Sequence, residues 1–169
     1  GTLDHCMITG NSAASGGGAY EGTLNNCALT NNNAAVGGGS QLATLNNCMI
    51  TGNSAALGGG SHESTLNNCT LTGNSADYEG GGAYGGILNN CIVYFNTASF
   101  SRDNYSGGSF SHSCTTPLPS GGTGNISVDP LLASGSHLSA SSPCRAAGSS
   151  AYSTGTDIDG ELWASPPSI

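Results

Sequence analysis

The stretch TLNNCALTNNNAAVGGGSQLA, residues 23–43, decides the fold, because the chain repeats it. It returns as TLNNCMITGNSAALGGGSHES at 44–64 and as TLNNCTLTGNSADYEGGGAYGG at 65–86. A variant, TLDHCMITGNSAASGGGAYEG, precedes it at 2–22, and a degenerate copy, ILNNCIVYFNTA, follows at 87–98. The period is 21 residues, and 22 in the copy that carries Tyr78. Self-similarity at a fixed period of this size predicts a solenoid, in which each repeat buries its apolar face by stacking on the next.

Aligned, the copies become columns. Leu3, Leu24, Leu45, Leu66 and Leu88 form one, and Cys6, Cys27, Cys48, Cys69 and Cys91 the next. Ile8, Leu29, Ile50, Leu71 and Val93 follow two residues on; then come Asn11, Asn32, Asn53, Asn74 and Asn96. The two-residue step from Cys to Leu or Ile is strand alternation. The Gly triplet in four of the repeats would break a helix. Stacked at the parallel-strand spacing of about 4.8 Å, apolar columns fill a narrow core. The Asn column stands at strand ends, where Asn tolerates the left-handed backbone and its amide can bond the same amide one coil on. A leucine-rich repeat of similar length would need an L-x-x-L-x-L run that LNNCxLT lacks. The expected fold is therefore all-β, a right-handed parallel β-helix with 21–22-residue coils, the hand taken from that of parallel crossovers. Regular coils are expected over 1–98, with irregular coils and loops over 99–169 continuing or capping the solenoid.

Composition excludes several functions. Lys and Arg number two against ten carboxylates, a formal charge of −8, so nucleic-acid binding and attachment to anionic membranes are not expected. No run approaches the roughly 20 apolar residues of a membrane-spanning helix. No signal peptide is present, which reads as a mature form or an excised fragment. Seven cysteines would suggest a disulfide framework, but five of them simply report the repeat. Those five read as buried thiols packing as small hydrophobes, although their stacking lies within the Cα range of a disulfide. Cys114 and Cys144 read equally well as a disulfide pair or as two more buried thiols.

The pattern TLNNCxLTGNSA…GGGA resembles the right-handed parallel β-helix repeats of secreted and surface bacterial proteins. Repeats of the chlamydial polymorphic outer membrane proteins are a more distant relation. The tail, with SCTTPLPSGGTGNISVDPLL (113–132), HLSASSPCRAAGSSAY (137–152) and TDIDGELWASPPSI (156–169), resembles the C-terminal region of choice-of-anchor β-helix proteins. The resemblance implies a β-helix and an extracellular or cell-surface, bacterial setting. It implies no activity, since the fold hosts many.

Candidate chemistry is sparse. A lyase-like site needs a cationic base among carboxylates, and neither Arg102 nor Arg145 has them in sequence. Glu21 and Glu63 share a column two coils apart, roughly 9–10 Å, with Leu42 between them and no polar support. Asp157 and Asp159, in DIDGE, are weak calcium candidates that lack the remaining ligands of a calcium loop. Tyr20, Gln41, His62 and Tyr84 align in one outward row, a candidate ligand face for a glycan. An ice-binding array is excluded, because the rank beside Thr9, Thr30, Thr51 and Thr72 reads Met7, Ala28, Met49, Thr70.

No catalytic residue and no cofactor are therefore expected. The chain opens inside a repeat at Thr2, and an uncapped coil exposes strand edges. The expectation is that an upstream segment or the tail of a neighbouring copy covers that edge. The second case is a head-to-tail contact that generates a filament, a structural surface or matrix fibre. The alternatives are an adhesin or carbohydrate-binding module, or a non-catalytic fragment of a polysaccharide-lyase-like protein.

Overall fold

The computed structural model describes residues 1–135, 137–153, 156 and 159–169. The first coil holds four short strands: β1 (Thr2–Asp4), β2 (Met7–Thr9), β3 (Ser12–Ser15) and β4 (Ala19–Tyr20). Each pairs in parallel with its equivalent one repeat later. Leu3 lies beside Leu24, Ile8 beside Leu29, Ala13 beside Ala34 and Tyr20 beside Gln41. Repetition builds four parallel sheets, two of six strands and two of five. The chain is an all-β parallel β-solenoid, with no helix among the described residues.

Each coil turns four corners, and one left-handed residue turns each. In the second coil these are Asn26 (φ 52°), Asn31 (54°), Gly37 (66°) and Leu42 (54°). Asn and Gly reach this region at little cost, whereas a left-handed Leu costs about 1–2 kcal/mol. The solenoid accepts that cost at Leu42 because a corner must fall there. Gly59 answers a different need: its φ is ordinary, but a Cβ would meet the carbonyl oxygens of Ser75 and Gly81.

Inward residues form one continuous core. Leu24, Leu45, Leu66 and Leu88, then Leu29, Ile50, Leu71 and Val93, are all buried, with Cys27, Cys48, Cys69 and Cys91 between them. At about 1.5–3 kcal/mol per buried aliphatic side chain, these two columns are the main drive for stacking.

The coil continues where repetition is lost. Strands at Tyr105–Ser106, Ser109–Ser111 and Cys114–Thr115 join three of the four sheets. Residues 102–104, RDN, occupy the place of the Gly triplet: Gly80, Gly82 and Ala83 donate to the carbonyls of Arg102, Asp103 and Asn104. In the sixth, partial coil, Phe110 ends the Leu column, and Ser113 occupies the Cys column, its Oγ accepting from the Cys91 amide at 3.1 Å. Cys114 pairs with Ile92 and so falls outside the cysteine column.

Beyond Thr115 the chain covers the edges of two of the four sheets at that end. His112 donates its amide to Thr123 O (2.7 Å), Thr115 to Ile126 O (3.0 Å) and Ile126 to Ser113 O (2.9 Å). Asn125 accepts from the Ser113 amide and donates to Phe110 O. The tail then runs back along one corner of the solenoid. Asn90 Nδ2 donates to Ser149 O (2.9 Å), Asn68 Nδ2 to Tyr152 O (2.7 Å) and Asn47 Nδ2 to Thr156 O (2.9 Å).

Candidate functional site

The Asn column is an internal ladder. Asn53 is fully buried; its Nδ2 donates to Asn74 Oδ1 (3.0 Å) and Leu29 O (2.9 Å), and its amide also donates to Asn74 Oδ1 (3.0 Å). Its own Oδ1 accepts from the Asn32 amide (2.9 Å) and Asn32 Nδ2 (3.0 Å). Asn74 repeats the pattern onto Asn96. Asn96 hands on to Asn104 Oδ1, which the next repeat does not supply and the RDN loop does. At the other end Asn11 donates to Asn32, and its own Oδ1 accepts nothing among the described residues. Two further ladders run outside the core: Asn89 to Asn67 to Asn46 to Asn25, and Asn90 to Asn68 beside Asn47 to Asn26. The second of these binds the tail, a role that sequence reasoning missed. Its signal was the second Asn of every LNN, a left-handed corner whose amide faces outward.

The cysteine column holds thiols. Cys27, Cys48, Cys69 and Cys91 each donate Sγ–H to the carbonyl two residues back in the same coil, at 3.1–3.3 Å, and Cys6 does so to Asp4 O. Burial pushes the Cys27 and Cys69 thiols up, and the thiol contact with Cys69 together with burial does the same for Cys48. A nucleophilic or metal-binding cysteine needs the opposite shift. Cys114 and Cys144 are also free, both fully buried in a cluster with Ile92 on the outer face of a sheet.

The outward row is in register. Tyr20, Gln41, His62 and Tyr84 follow one another strand by strand. The His62 and Tyr84 rings lie parallel, 5.1 Å apart with 2° between planes, so they cover each other's faces. Burial lowers the His62 pKa, which keeps the ring neutral. The row thus behaves as another ladder at His62 and Tyr84, each covering one face of the other.

Charged groups are dispersed or self-paired. Arg102 reaches Glu79 (3.3 Å) and Ser106 (3.0 Å), while Ser106 donates to Glu79 (2.8 Å), a closed triad at the corner after the fourth coil. Glu21 and Glu63 are left-handed corner residues, at φ 57° and 51°. Asp159 pairs with His137 Nε2 at 2.9 Å; Asp157 lies outside the described residues. Among the described residues, no group of three or more His, Cys, Asp or Glu is placed to hold a metal ion.

One concave site forms where the tail crosses the solenoid. A groove of about 360 Å³ lies between Asn47, Asn68 and Asn90 on the corner and His137, Arg145 and Trp163 on the tail. Trp163 Nε1 and Asn47 Oδ1 are shielded and have no hydrogen-bond partner among the described residues. The Arg145 guanidinium and the Asp159 and Glu161 carboxylates also line the groove. An indole, amides and charged groups around a groove of mixed polarity suit a hydroxyl-bearing ligand.

Against known proteins, the chain matches no family model, no curated protein and no solved structure.

Proposed function

We propose that this chain is a structural β-solenoid of the cell exterior that stacks end to end with other copies. The ladders carry the reading. Asn32, Asn53 and Asn74 are fully buried and bond one another coil to coil, the Leu and Ile columns are buried beside them, and the His62 and Tyr84 rings stack on each other. The repeats thus spend their chemistry-bearing side chains on stacking, which favours a scaffold.

Head-to-tail contact of this kind generates an open-ended fibre unless it closes into a ring. Electron microscopy and sedimentation of the purified chain test this. Fibres or rings of copies support the reading, and a monomer at every concentration overturns it.

A second reading, a carbohydrate-binding module, is favoured by the groove with its unpartnered Trp163 and Asn47 atoms. Titration with a panel of neutral and uronic-acid oligosaccharides, with Trp163→Ala as the control, decides it. Binding that the variant loses supports the module, and no heat at millimolar sugar removes it.

A further inference from the structure

We infer that Cys114 and Cys144 are a disulfide-forming pair that fastens the closing segment and the tail to the last coil, while the five cysteines of the repeat column stay thiols in the same oxidant. The two thiols are both fully buried in one small cluster with Ile92. Both are anchored to parts the bond would join. Cys114 is in the last strand and donates Sγ–H to Val128 O (3.3 Å) in the closing segment. Cys144 is the hub of the tail: Ile169 donates its amide to Cys144 O (2.9 Å), and Ser142 ties the approach to Pro130 O. A bond between them closes every residue from 115 to 143 into one loop.

The repeat column is built differently. In-register parallel strands hold successive Cβ atoms about 4.8 Å apart, beyond the about 3.5–4.5 Å a disulfide spans. Each of those thiols also donates to the carbonyl two residues back in its own coil. Pairing them would distort a ladder fixed by core packing on both sides.

Both thiols are fully buried, so exchange starts from a local opening of the tail; exposed Arg145, next in the chain to Cys144, then attracts an anionic oxidant to that sulfur. With oxidised glutathione, the Cys144 thiolate attacks one sulfur of the glutathione disulfide, forming a mixed disulfide and releasing one glutathione thiolate. The Cys114 thiol then loses its proton and attacks the Cys144 sulfur, expelling the second glutathione. Two protein thiols are oxidised, one glutathione disulfide is reduced, and the two protons pass to the leaving thiolates.

The test is thiol counting by mass spectrometry. The folded chain is equilibrated with oxidised glutathione, unfolded in acid, alkylated and digested without reductant. The expected result is five alkylated cysteines of the seven and one linked peptide pair joining Cys114 to Cys144. Cys114→Ser is expected to hold one glutathione on Cys144 as a trapped mixed disulfide. Seven alkylated cysteines, or a linkage between column cysteines, would overturn the inference. Should Cys114→Ser fold poorly, Cys69→Ala serves as the second variant: it must leave the 114–144 linkage intact and lower the alkylated count by one.

Discussion

Asn53→Ala removes one rung from the middle of the buried ladder, and its cost follows from the bonds it breaks. Asn53 Oδ1 receives the Asn32 amide and Nδ2, and Asn53 Nδ2 serves Leu29 O and Asn74 Oδ1, four side-chain bonds in all. The Asn32 amide is left buried without an acceptor. With about 1 kcal/mol net per bond, and more for an orphaned buried group, the loss is about 3–5 kcal/mol. For a chain of this size that is a fall in Tm of about 6–20 °C. Asn11→Ala in the first coil loses one side-chain bond, and Asn32 Oδ1 keeps the backbone amide of residue 11. That substitution is expected to cost about 0.5–1 kcal/mol. Thermal unfolding followed by circular dichroism at 218 nm, roughly the strand band, compares the two. Equal losses at the two positions would refute the ladder as a cooperative buried element.

The other expectations are as direct. Gly59→Ala places a Cβ against two backbone carbonyls and should abolish soluble folded protein, whereas Gly10→Ala, with nothing within 4 Å, should cost about 1 kcal/mol for its left-handed φ; expression and melting read both. Stability should fall as pH rises past 9.0, because buried Cys27, Cys48 and Cys69 hold protons that the unfolded thiols release. Each such group adds a slope of about 1.4 kcal/mol per pH unit, and urea titrations at pH 8 to 10, roughly bracketing the thiol range, should show one slope fewer for Cys69→Ala. Asn68→Ala should free the tail at Tyr152, read as faster proteolysis after residue 145, with a Tm lowered by only a few degrees, since it also puts Ala at a left-handed corner and removes the acceptor of Asn90.

The columns were legible because each is a residue type repeated at one place, and stacking turns such a column into a physical ladder. Leu, Cys, Ile and Asn all read this way. Over residues 99–115 a continuing, irregular coil was legible but its register was not, since the coil there is held by backbone pairing that RDN can make as well as GGG. Asn104 continues the Asn ladder from eight residues past Asn96, a spacing that no period announces. The path of the tail was hidden for a related reason: Asn47, Asn68 and Asn90 grip carbonyl oxygens, and any residue carries one. Residues 114 and 144 were left open between bond and thiols, because only the fold places Cys114 outside the repeat column. The aromatic row was visible, but its ring-on-ring stacking was not, and that stacking weakens it as a sugar platform.

The central claim is a structural solenoid whose copies join end to end. Hydrogen exchange by mass spectrometry, at several protein concentrations, tests it coil by coil. Peptides from 44–86, inside the stack, should be protected at every concentration, because their strands have partners on both sides. Peptides from a coil that meets another copy should exchange faster in dilute protein and gain protection as concentration rises. Exchange that is indifferent to concentration in every coil would contradict the account.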